Sequence, residues 1–100
     1  MTIIADSLRN IFNSVKLLGV KLSKEQATSE DFNQLMISLS DVYISVNYGQ
    51  DEVRGHIDSA LREIEKAMNT FERGDIYEED WVGICLDMAS LNIRAAIYFS

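Results

Sequence analysis

The sequence predicts an all-α protein, a four-helix bundle running up-down-up-down with antiparallel neighbours, and three observations carry that prediction. Apolar residues recur at alternating steps of 3 and 4 through most of the chain, the spacing that sets them on one face of a helix. No proline and only five glycines occur in 100 residues, so long helices run uninterrupted and little material is left for β-turns. The 47% hydrophobic and 25% charged fractions are those of a chain that folds. The length suits one helical domain over residues 1–100.

In the first segment Ile4, Leu8, Ile11, Val15 and Leu18 form the stripe, with Phe12 and Leu17 beside it. The spacing predicts a helix over about 3–18, with Gly19 as a left-handed stop and Val20 covering the last turn. Ser23 with Gln26 fits a capping box, whereas Thr28 or Ser29 as N-cap places Glu30 and Asp31 in the first turn, where the helix dipole favours carboxylates. The second helix is therefore expected over about 29–48, with room for one extra turn at 24–27. Its stripe is Phe32, Leu35, Leu39, Val42 and Val46, joined by Met36 and Tyr43. A strand competes over 42–48, because Val42, Ile44, Val46 and Tyr48 also alternate with Tyr43, Ser45 and Asn47. Helix is preferred, since a lone strand would have no mate.

Gly49 is the expected end of that helix and Asp51 the expected cap of the next, over 51–73. This third segment is the clearest: Val53, Ile57, Ala60, Ile64, Ala67 and Phe71 line one face, widened by Leu61 and Met68. Arg54, Asp58, Arg62, Glu63, Glu65, Lys66 and Glu72 line the other. Gly55 is an unexpected glycine one turn into it. Gly74 ends the helix, Asp75 is the expected cap of the fourth, and Glu78, Glu79 and Asp80 crowd its first turn. The fourth helix, over about 76–98, has the stripe Trp81, Ile84, Met88, Leu91, Ala95 and Tyr98. It is also apolar off that stripe, at Val82, Leu86, Ile93, Ile97 and Phe99. A helix apolar on so many sides is expected to be central or shared with a partner.

Net charge is −7, which argues against direct binding to nucleic acid or an anionic membrane. The charge is uneven: residues 1–24 hold four bases and one acid (+3), and the remainder fifteen acids and five bases (−10). No basic leader or cleavage pattern opens the chain, and no run approaches the roughly 20 apolar residues that span a bilayer. With one cysteine, Cys85, no internal disulfide or zinc pair is expected, and a cytoplasmic location fits best.

No glycine-rich phosphate loop, nucleophile elbow or paired metal ligands occur in the chain. His56 follows Glu52 by four residues, but a single histidine is a poor basis for a metal site. Cys85 reads as a buried, inert thiol. An enzyme is not expected, nor a cofactor or metal. Alternating helix directions would instead gather the two acid-rich links at one end. Glu30, Asp31, Asp75, Tyr77, Glu78, Glu79, Asp80 and Trp81 are the candidate partner-binding residues. The expected activity is that of a small acidic regulator or inhibitor docking on a basic surface of a larger protein, which would mask a nucleic-acid-binding site if the partner has one. Immunity proteins, antitoxins and phage anti-defence proteins combine small size and acidity in this way, a comparison of size and charge alone. The alternative is a homodimer or larger helical assembly acting through apolar surfaces of the second and fourth helices.

Overall fold

The computed structural model of this chain describes residues 3–46, 50–74 and 79–100. Four helices take up nearly all of them: α1 Ile3–Ser23, α2 Ser29–Ser45, α3 Asp51–Arg73 and α4 Glu79–Phe99. No strand occurs among the described residues. Of the segment open to a strand reading, 42–48, Val42 to Ser45 is helical, Val46 is extended at the helix C-cap, and 47–48 lie outside the described residues.

Neighbouring helices run antiparallel, as four contacts show. Lys21 at the end of α1 bonds Asp31 at the start of α2, and Phe32 at the start of α2 packs its ring 5.0 Å from Phe71 at the end of α3. His56 near the start of α3 stacks on Phe99 at the end of α4. Val15 and Val20 late in α1 border the same groove as Val82 and Ile84 early in α4. Each helix thus packs on two others around a ring, and the pair α3 and α4 shares the most extensive contact.

Several predicted boundaries shift. The first helix does not stop at Gly19 but continues to Ser23. Its end is a Schellman turn: the Glu25 N–H donates to the Leu22 carbonyl (3.1 Å) and the Gln26 N–H to the Lys21 carbonyl (2.8 Å). Glu25 takes the left-handed position at φ 57°, where glycine is the usual residue. This turn occupies the space where an extra helical turn at 24–27 was expected. Thr28 caps α2, its side chain accepting from the Asp31 N–H while the Asp31 carboxylate accepts from the Thr28 N–H. The second helix ends at Ser45 rather than 48, with Val46 extended at its C-cap; Tyr48 and Gly49 lie outside the described residues. Gln50, not Asp51, is the N-cap of α3 and makes no side-chain capping bond. Asp51 is instead the first helical residue, where its carboxylate still meets the positive end of the helix dipole. Gly74 closes α3 at φ 68°, its N–H donating to the Phe71 carbonyl. The expected cap Asp75 and the first predicted residues of the fourth helix, 76–78, lie outside the described residues.

The core is built from the predicted stripes of the first three helices: Leu8, Ile11, Val15 and Leu18; Phe32, Leu35, Leu39, Val42 and Val46; Val53, Ile57, Ala60, Ile64 and Ala67. Phe71 is half-buried against them. The fourth helix is the correction. Its buried face is Val82, Cys85, Leu86, Ala89, Ile93 and Ala96, and the predicted stripe faces outward. Trp81, Ile84, Met88, Leu91 and Tyr98 are exposed.

Side-chain size explains the inversion. Ala60 and Ala67 of α3 and Cys85, Ala89 and Ala96 of α4 are all buried, and α3 and α4 share the most extensive contact. Small residues let two helix backbones approach closely at close-packed density, and the bulk of Trp81, Met88, Leu91 and Tyr98 would hold them apart. Because both faces of α4 are apolar, an 18-residue window within Asp80–Phe99 reaches a mean hydropathy of 1.3, so that this helix is long and apolar enough, by length and composition only, to cross a membrane. Simple counting of consecutive apolar residues missed that property.

Candidate functional site

The end of the bundle that holds the α1–α2 link and the start of α4 carries those acidic candidates that lie among the described residues. Glu25, Gly74 and Asp80 border one groove there, together with Val20 and Ile84. The alternating helix directions thus bring described residues of both links to a common tip. Its carboxylates differ in what they do. Glu30 is exposed and accepts a 2.7 Å hydrogen bond from the Gln34 side-chain amide. Asp80 is exposed and stands beside Trp81, whose indole is 48% exposed.

Asp31 is engaged by the fold. One carboxylate oxygen accepts from the Thr28 N–H at 2.9 Å and the other pairs with the Lys21 ammonium at 3.1 Å. The Thr28 backbone bond first, and Lys21 second, hold its carboxyl below the usual aspartate range. Stabilising the charged form this way ties the α1–α2 link to α2, and it leaves less of that charge free for a partner. Glu79 opens α4. Asp75, Tyr77 and Glu78 lie outside the described residues.

From Trp81 an apolar face runs along α4 away from the tip. Trp81, Ile84, Met88, Leu91, Ala95 and Tyr98 follow steps of 3, 4, 3, 4 and 3, covering about 26 Å of helix. Leu91 is 56% and Tyr98 83% exposed. Asp80, Asp87 and Arg94, all exposed, flank this face on one side. On the other, Phe99 stacks on His56 with ring centroids 5.7 Å apart and meets Tyr98 edge-on at 5.1 Å. Sequence periodicity found this stripe but gave it the inward face, except at Trp81, which is also a partner-binding candidate and is exposed. The signal that would have turned it outward is the run of small residues on the opposite face. On α2 the exposed Ile37 and Ile44 stand seven residues apart with exposed Asp41 between them, so among the described residues no comparable face forms there.

The remaining candidates have structural surroundings. His56 Nδ1 lies 3.4 Å from the Asn92 side-chain oxygen, and among the described residues no three His, Cys, Asp or Glu side chains come together to hold a metal. Cys85 is fully buried. Burial, and then the nearby Glu63 carboxylate, push its thiol above the ordinary cysteine value, which keeps it protonated and unreactive at neutral pH. Among the described residues every buried side-chain nitrogen and oxygen has a hydrogen-bond partner. The hydroxyl of buried Ser90, for example, donates to the Leu86 carbonyl at 3.1 Å. Comparison with known protein families, curated proteins and solved structures finds no match for this chain.

Proposed function

We propose that this chain is a non-enzymatic protein-binding regulator that docks on a basic surface of a larger partner. In this reading the carboxylates of the tip, Glu25, Glu30 and Asp80, give electrostatic attraction on approach, and Trp81 anchors the contact. The supporting observation is the exposed Trp81 beside Asp80, at the head of an apolar face and within an acidic rim. Interfaces are commonly arranged this way, with an aromatic anchor at the centre and charge at the edge. If the partner's basic surface binds nucleic acid, docking would mask it.

The test is capture of the partner from the native host, identification by mass spectrometry, and titration of the purified pair. Affinity should fall as salt rises from about 50 to about 500 mM, because exposed charges are screened beyond a few ångströms at that concentration. Trp81→Ala should weaken binding by about 30-fold, the size of a 2 kcal/mol anchor. A captured partner whose affinity ignores salt, Trp81→Ala and the charge reversals Glu30→Lys and Asp80→Lys would overturn this reading. A second reading, a helical assembly protein, is favoured by the length of the outward face of α4, which continues well past the tip.

A further inference from the structure

We infer that the outward face of α4 pairs with the same face of a second copy, antiparallel and about a twofold axis between Met88 and Leu91. This rests on the assembly reading and names its partner. The stripe Trp81, Ile84, Met88, Leu91, Ala95 and Tyr98 alternates steps of 3 and 4, so that it repeats every seven residues, the spacing that keeps a seam facing another helix along its length. In the antiparallel register Met88 meets the second copy's Leu91, Ile84 meets its Ala95, and Trp81 meets its Tyr98. Met88 and Leu91, of similar bulk, fill the middle, Ile84 lies against the small Ala95, and the two aromatic residues close the ends.

Charge selects this orientation. The seam is flanked by Asp80, Asp87 and Arg94, at matching positions of successive heptads. In an antiparallel pair these flanks lie against each other, so Asp87 faces the second copy's Arg94 and, by symmetry, Arg94 faces its Asp87. A parallel pair would set Asp87 against Asn92 and Arg94 against Phe99, with no ion pair. Within one chain, Asp87 and Arg94 make no ion pair to any described residue.

Area is adequate. From the exposures of Trp81, Ile84, Met88, Leu91, Tyr98 and Phe99, the face offers roughly 600 Å² per copy, so about 1,200 Å² in the pair, the lower bound of specific interfaces. A lipid surface is disfavoured as the occupant, because Asp80 and Asp87 along the rim oppose anionic headgroups.

Sedimentation of the full chain from about 1 to about 300 μM, with circular dichroism to confirm folding, tests the pairing. The wild type should move from 11.3 kDa towards twice that mass, and Leu91→Glu should remain a folded monomer. Asp87→Arg and Arg94→Asp should each weaken association about tenfold, and the double variant should recover to within about threefold of wild type. A wild type monomeric throughout, an association indifferent to Leu91→Glu, or single reversals not rescued by the double would overturn the pairing. So would a blue shift of Trp81 emission on mixing a monomeric wild type with phosphatidylcholine vesicles, which would give the face to lipid. The two proposals fail separately. A monomer whose captured partner is lost on Trp81→Ala removes the pairing alone, and a dimer whose captured partner ignores salt, Trp81→Ala and the charge reversals removes partner docking alone.

Discussion

Moving glycine by six residues near the end of α1 should stabilise the protein. Gly19 is helical and a Cβ added there meets nothing within 4 Å, so Gly19→Ala should gain the full helix-propensity difference of about 0.8 to 1 kcal/mol. Glu25 holds the left-handed position of the Schellman turn at φ 57°, which costs a non-glycine residue about 1 to 2 kcal/mol. Glu25→Gly relieves that strain but adds freedom to the unfolded chain, an opposing effect of about 0.4 to 1 kcal/mol, leaving a net gain of roughly 0.5 to 1 kcal/mol. The two sites share no contact and should add. The double variant is then expected to be about 1.5 to 2 kcal/mol more stable, raising Tm by roughly 6 to 15 °C for a domain of this size. Thermal melts and urea titrations of the two single variants and the double provide the measurement. A loss of 1 kcal/mol or more on Gly19→Ala would mean that Gly19 has positive φ and that α1 stops there, and the placement of the tip would fall with it.

Replacing Asp31 by Asn should destabilise the protein by about 1 kcal/mol at pH 7 through the capping box. Because its folded pKa lies below 3.8, that contribution is complete above the unfolded value of about 3.9 and is lost as pH falls through the folded pKa. Urea titrations between pH 7 and pH 2.5 should show the difference shrinking, and a pH-independent gap would contradict the assignment. Phe32→Ala, at a fully buried ring, should cost about 3 to 5 kcal/mol, and Phe71→Ala, half-buried against it, about 2 kcal/mol. Equal costs in denaturant titrations would misplace one of the two rings.

The first three helices were legible because each carries charge or small polar residues opposite a single apolar stripe. Ile57 and Ile64 fall on one face of α3 while Arg62 and Glu65 fall on the other, and only one phase buries the former and wets the latter. The fourth helix has two apolar faces, so periodicity fixed its axis but not its rotation. What chose between them is tertiary: α3 and α4 share the most extensive contact, and the face of α4 that is buried is the one with the small residues Cys85, Ala89 and Ala96. A count of apolar residues weights tryptophan over alanine and points the wrong way.

The helix ends divide similarly. Thr28 and Asp31 announce α2 through side-chain chemistry local to four residues. Gly19 gave a false stop because glycine permits a left-handed turn without requiring one. The acidic tip followed from chain direction, and described residues of both links do meet there. What the sequence could not show was the division of labour among the acids, with Asp31 holding the link while Glu30, bonded to the Gln34 side chain, and Asp80 are exposed.

The rotation of α4 decides whether any docking face exists, and urea unfolding of Leu91→Glu beside Ile93→Glu tests it most directly. At about 1 μM, the monomeric end of the sedimentation range, with Leu91 on the surface and Ile93 fully buried, Leu91→Glu should stay within about 0.5 kcal/mol of wild type and Ile93→Glu should cost more than about 4 kcal/mol. A chain that unfolds on Leu91→Glu and tolerates Ile93→Glu would turn the stripe inward and leave no surface for a partner to meet.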